Sequence, residues 1–216
     1  MINTILSFFL FTRCQGYVNS GIVFFTGGSN IMSSCIYSDF LSHIESDHKV
    51  VKIPYTFTSE MYKNTIEDLD KTYDTITYLA HSSGATTAIN QMHPYVDRLI
   101  LLDPVATPNI DYKINLDTLN RINIINADLS YRWSYKPPFL PFIPIFKLDP
   151  GRLNIDKNLI TVETIDSYGH SDLIDKPYRD IMHFTGISTG NPDRKNAIYN
   201  YHNLLSRKIN NIVNKN

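Results

Sequence analysis

The chain has 216 residues, of which 43% are hydrophobic and 19% charged, with twenty basic against twenty-one acidic side chains and a formal net charge of -1. That balance excludes long disordered tracts and suits a single domain spanning residues 1–216. It also excludes a nucleic-acid-binding face, because phosphate recognition requires clustered cations and the densest basic pair is Arg207-Lys208.

In chain order, residues 2–11 (INTILSFFLF) form an apolar run too short to cross a membrane. It lacks the basic start of a signal segment, so a first strand is the preferred reading. GIVFFTGG (21–28) reads as a buried strand ending in a double glycine. SCIYSDFLSHIESD (34–47) places Ile36, Phe40, Leu41 and Ile44 at helical spacing, and KVVKIP (49–54) is the next strand, stopped by Pro54. A helix over 59–71 with Ser59 as cap leads to the strand YDTITYLA and a helix from near Ser83.

Further strands are expected at 97–104, 121–128 and 158–166, and a last amphipathic helix opens at Asn191-Pro192. Between them, residues 129–157 carry five prolines and many aromatics, which excludes a long helix and a central strand alike. Short apolar runs alternating with amphipathic ones predict an α/β fold with a mostly parallel sheet and helices on both faces.

The chemistry is concentrated at strand ends. A serine hydroxyl needs an imidazole to take its proton, an acid to orient the imidazole, and backbone N–H groups for the developing oxyanion. On one class of α/β fold these groups follow strands in the chain order serine, acid, histidine, the serine lying in a small-residue turn of the form G-x-S-x-G. Ala80-His81-Ser82-Ser83-Gly84 matches except for alanine in the first place, although read alone it is equally a serine-capped helix.

Asp103 ends the strand LILL, with Asp128 after the next strand as a rival acid. Both precede His170, the histidine that completes the order, with Gly169 before it to let the loop approach the serine. His81 is expected to pack or hydrogen-bond under the turn. His43, His48, His93, His183 and His202 show no metal-ligand pairing, and Cys14 and Cys35 fit neither a metal nor a disulfide spacing. No metal is expected, and a cytoplasmic setting is slightly favoured. The oxyanion donors would be the N–H groups of Ser83 and Gly28, with Gly27 leaving the backbone bare beside a substrate oxygen.

Thr26-Gly27-Gly28, Ala80 to Gly84, Leu102-Asp103-Pro104 and Tyr168-Gly169-His170-Ser171-Asp172 together resemble the motifs of the α/β-hydrolase superfamily, in particular its chlorophyllase-like and lipase-like esterases. The likeness covers roughly residues 20–210, with Thr26 where that group carries histidine and Ala80 where it carries glycine. It implies a serine esterase with a minimal N-terminal part, Asp103 rather than Asp128 as the triad acid, no cofactor and a small-molecule ester as substrate.

The proline-rich excursion occupies the place of a lid. Phe139, Phe142 and Phe146, with Ile143 and Ile145, are candidates to line a substrate pocket or touch a lipid surface, against the alternative of a loop tucked onto the domain. A thioesterase or amidase, or a non-catalytic binding module on the same fold, is the alternative to an esterase.

Overall fold

The computed structural model describes residues 19–28, 31–54, 56–106, 119–132, 146–184, 190–191 and 196–215. The apolar run 2–11, Phe139, Phe142 and the side chain of Phe146 lie outside the described residues.

Strands β1 (Ser20–Phe25), β2 (Lys49–Ile53), β3 (Thr75–His81), β4 (Arg98–Leu102), β6 (Arg121–Ala127) and β8 (Ile160–Ile165) form one six-stranded sheet in the order β2-β1-β3-β4-β6-β8. Every pairing in it is parallel. Two short segments, β5 (Val105–Ala106) and β7 (Phe146–Lys147), make a separate antiparallel ladder. It ties the end of the proline-rich excursion to the exit of β4.

The strand sequences explain the sheet. Strands β1, β3 and β4 are buried at nearly every position because both faces are covered, as in parallel sheets generally. Alternate residues go to opposite sides. Val23, Phe25, Tyr78, Ala80, Leu99 and Leu101 pack with helices α2 (Ser59–Asp70) and α3 (Gly84–Asn90). Ile22, Phe24, Leu79, Ile100 and Leu102 pack with α1 (Ser38–Glu45) and α5 (Ala197–Val213). The architecture is therefore an α/β fold, a parallel sheet with helices on both faces.

Several local expectations shift. Helix α2 is capped by Thr58, not Ser59; the Thr58 hydroxyl accepts the Met61 N–H at 3.2 Å. Helix α5 starts at Ala197, not at Asn191-Pro192. Asn191 instead donates its N–H to Asp172 at 2.7 Å and its side-chain amide to the Ser167 carbonyl at 2.6 Å. An unexpected helix, α4 (Lys176–Phe184), follows the His170 loop.

The chain passes from β1 outward to β2 and returns across β1 to β3, so the strand order reverses between β1 and β3. In open parallel sheets the crevice beyond the carboxyl ends at such a reversal is where ligands bind. Register carries this edge across the sheet, since Phe25 pairs with Ala80, His81 with Leu102, and Leu102 with Ile125. The loops carrying Gly27, Ser82 and Asp103 thus leave the same edge.

Candidate active site

Ser82 stands at the turn from β3 into α3 with φ +57, in the left-handed region that a residue bearing Cβ adopts only at a cost. The turn is tied down by its main chain. Ser82 N–H donates to the Leu102 carbonyl at 3.1 Å, and the Ser82 carbonyl accepts from Val105 at 3.1 Å and Ala85 at 3.2 Å. Ala80, by contrast, is a fully buried strand residue whose methyl joins the core, so glycine is not needed there. The glycine the turn cannot replace is Gly84. A Cβ on it would lie 2.3 Å from the Thr26 carbonyl oxygen and 2.8 Å from that of Phe25, so β1 and α3 could not approach as they do.

Asp103 follows β4 and also adopts a positive φ, +42. Its N–H donates to the Ile125 carbonyl at 2.7 Å, and its carboxylate accepts the Ala127 N–H at 3.2 Å and His170 Nδ1–H at 2.5 Å. His170 Nε2 lies 2.8 Å from Ser82 Oγ. An ionised carboxylate can only accept, so Nδ1 carries the imidazole proton and Nε2 is the lone pair facing the serine hydroxyl. Both Asp103 and His170 are buried, which shields the pair from water. Asp128, the rival acid, opens a 3-10 turn over Asp128–Arg132. The carboxylate against His170 Nδ1 belongs to Asp103.

The loop bearing His170 is braced from below. Asp172, with no exposed surface, accepts N–H bonds from Gly169 at 2.8 Å and Asn191 at 2.7 Å and pairs with the equally buried Arg179 at 2.6 Å. Arg179 also donates to the Asn191 carbonyl at 2.7 Å. Asp175 then accepts the Ser38 and Asp39 N–H groups at 2.9 and 3.1 Å, closing the start of α1 against this loop. Gly169 itself is extended, at φ -123, so glycine's conformational freedom is not used there; the left-handed residue of the loop is Ser167, φ +70.

On the β1 side, Gly27 N–H donates to Tyr37 Oη at 3.1 Å. Gly28 N–H has no partner among the described residues, and its φ of +63 suits glycine. Ser83 occupies the cap position of α3. His81 sits beneath the turn as expected, buried, with Nδ1 2.9 Å from Tyr37 Oη and its ring tilted against that of His170 at 4.7 Å between centroids. Burial, then the neighbouring His170, pushes its pKa down to about 3, with the Asp103 carboxylate opposing, so it is neutral at ordinary pH. Neither Tyr37 nor Arg179 stood out in the sequence, because neither belongs to a motif that names its partner.

Elsewhere, an open groove of about 370 Å³ lies between α1 and α5, lined by Asp39, His43, Lys176, Tyr199 and His202 among others. It includes none of the three residues that meet at Ser82.

No known family model matches the chain, and no curated protein does. Solved structures with a similar trace include a protein from Pectobacterium atrosepticum described as a YdeN-like hydrolase, at 11% identity and a TM-score of 0.46 over 91% of this chain and 94% of that one. A structure from work on the metagenome-derived lipolytic enzymes LipS and LipT matches at 10% identity and a TM-score of 0.42, over 77% and 91%. Phospholipase PlaB from Legionella pneumophila matches at 10% identity and 0.43, over 88% and 64%. These values concern the chain trace; the chemistry rests on the contacts around His170.

Proposed function

We propose that the chain is a serine hydrolase that cleaves a carboxylic ester through an acyl-enzyme. The observation that carries this reading is the pair of contacts made by His170, with Nδ1 2.5 Å from Asp103 and Nε2 2.8 Å from Ser82. Such a bridge is what proton transfer from a serine hydroxyl requires.

In this reading Ser82 Oγ attacks the ester carbonyl while His170 Nε2 takes its proton, and Asp103 stabilises the imidazolium that forms. The N–H groups of Gly28 and Ser83 hold the oxyanion. Collapse of the tetrahedral intermediate expels the alcohol, which takes the proton from His170. Water then enters by the same route, losing its proton to His170 as it attacks the acyl carbonyl, and the acid is released with Ser82 restored. Every proton moved is held by a side chain named here, so the mechanism needs no cofactor.

The test is covalent labelling by an alkyl fluorophosphonate, comparing the wild type with Ser82→Ala. Labelling of the wild type that disappears in the variant supports the reading. A wild type that stays unlabelled where other serine hydrolases react removes it. A panel of short- and long-chain esters, run beside amide and thioester analogues, then identifies the substrate class.

A further inference from the structure

We propose that Tyr37 and His81 form a clamp that fixes the Gly27-Gly28 loop for oxyanion binding, with His81 held as its Nε2–H tautomer. The inference rests on the serine-hydrolase reading above and adds two positioning residues to it.

Tyr37 Oη carries one proton and, in a fully buried position, accepts the Gly27 N–H at 3.1 Å. Its other contact is His81 Nδ1 at 2.9 Å. If Nδ1 carried the imidazole proton, the tyrosine proton would have no acceptor and Nε2 would be a buried lone pair without a donor. With the proton on Nε2, the tyrosine donates to Nδ1 and a single group, Nε2–H, is left over. The second arrangement strands fewer buried polar groups, so the order of donation is Gly27 N–H to Tyr37, then Tyr37 O–H to His81. Protonated His81 would break that order, and its depressed pKa of about 3 keeps it neutral.

Sterics make the same link. A Cβ on Gly27 would meet Tyr37 Oη at 3.0 Å, Met32 Sδ at 3.3 Å and Ser82 Cβ at 3.4 Å, so the loop lies between the tyrosine hydroxyl and the serine itself. Tyr37 is fixed in turn by edge-on contact with Phe24 at 5.2 Å between centroids. Because Gly27 N–H is committed to Tyr37, Gly28 is the remaining donor of the glycine pair for substrate oxygen. The clamp sets where that N–H points, a demand that is greatest in the transition state. His81, tilted against the His170 ring, joins this loop to the proton-transferring imidazole.

The experiment measures the inactivation constants of an alkyl fluorophosphonate. In that reaction Ser82 Oγ bonds to phosphorus, the P–F bond breaks, fluoride leaves, and the serine proton passes to His170. The phosphoryl oxygen occupies the oxyanion position throughout. For Tyr37→Phe, the maximal inactivation rate is expected to fall about 10- to 100-fold, short of or comparable to the loss of a whole oxyanion donor. The half-saturating probe concentration should change less than twofold, as a positioning role requires.

His81→Asn, whose side-chain carbonyl can accept from Tyr37 near the Nδ1 position, should retain most of the rate that His81→Leu loses. A wild type that is labelled alongside a Tyr37→Phe variant labelled equally fast overturns the clamp and leaves the hydrolase reading intact. A wild type that is never labelled overturns both. Long-range proton–nitrogen NMR of the wild type needs no variant to fold: a proton on His81 Nε2 supports the clamp, and one on Nδ1 overturns it.

Discussion

Arg179→Met tests whether the buried ion pair beneath the His170 loop holds that loop in place. Methionine fills much of the same length without charge, so the substitution separates electrostatics from volume. In the wild type the guanidinium pairs with Asp172 at 2.6 Å and donates to Asn191 at 2.7 Å, and neither charged side chain has exposed surface. Removing it leaves the Asp172 carboxylate with the N–H groups of Gly169 and Asn191 but no countercharge. Breaking one partner out of a buried pair costs about 3–5 kcal/mol. With a urea dependence of about 2.5 kcal/mol per molar, the unfolding midpoint should fall by roughly 1 to 2 M. Asp172→Asn in the same background removes the stranded charge and should recover part of the loss, giving a coupling of roughly 1–3 kcal/mol. Because the ties run through Gly169 and Asn191 on either side of His170, hydrolytic activity should fail at lower urea than the global fold. A single variant whose midpoint stays within about 0.3 M of wild type, or a double variant that is strictly additive, would refute the reasoning.

Gly84→Ala forces a methyl against the Thr26 and Phe25 carbonyls, both main-chain atoms that cannot swing aside. Overpacking of this kind costs typically 1–3 kcal/mol and here belongs at the upper end, so the melting temperature should fall by roughly 6–12 °C; an unchanged melt contradicts it. Asp103→Asn should lower the rate of ester hydrolysis by about three to four orders of magnitude through loss of the His170 tautomer, while Asp128→Asn stays within about threefold; the opposite pattern would reassign the acid. His202 is buried against Phe40, and burial lowers its pKa to about 4, so protonation favours the unfolded chain. Its contribution is therefore harmless above about pH 6.5 and increasingly destabilising as pH falls towards 4, reaching on the order of 3 kcal/mol. His202→Phe should flatten the loss of stability over that window, measured as denaturant midpoint against pH, and parallel curves for the two proteins would exclude the effect.

The central strands and the candidates Ser82, Asp103 or Asp128, and His170 were legible because they depend on short-range pattern, while the preference for Asp103 over Asp128 came from the resemblance. A strand covered on two faces reads as an apolar run, and Ser82 and Asp103 sit directly after such strands, with His170 five positions beyond the end of β8. What the sequence hid depends on tertiary packing that no local pattern announces. Helix α4 shows why: Tyr178 and Ile181 face outward while Arg179 is fully buried, so its polarity is the reverse of an ordinary surface helix. Nothing in the pattern around Tyr37 points to His81, 44 positions along the chain. The two-residue ladder of β5 and β7 was hidden for another reason. Two residues carry no periodicity, and proline-rich surroundings argue against any strand.

Among the described residues, three other than glycine adopt positive φ, and Ser82 and Asp103 are two of them. Each such conformation holds about 1–3 kcal/mol that neighbouring contacts must offset. A campaign that selected this protein for thermal tolerance alone would therefore be drawn to Ser82, where glycine relieves the strain, more than to Asp103, whose carboxylate also bonds the buried Ala127 N–H and His170. Robustness and reactivity compete at single residues in this chain, and variants chosen for endurance should be checked first for whether they have kept that serine and that aspartate.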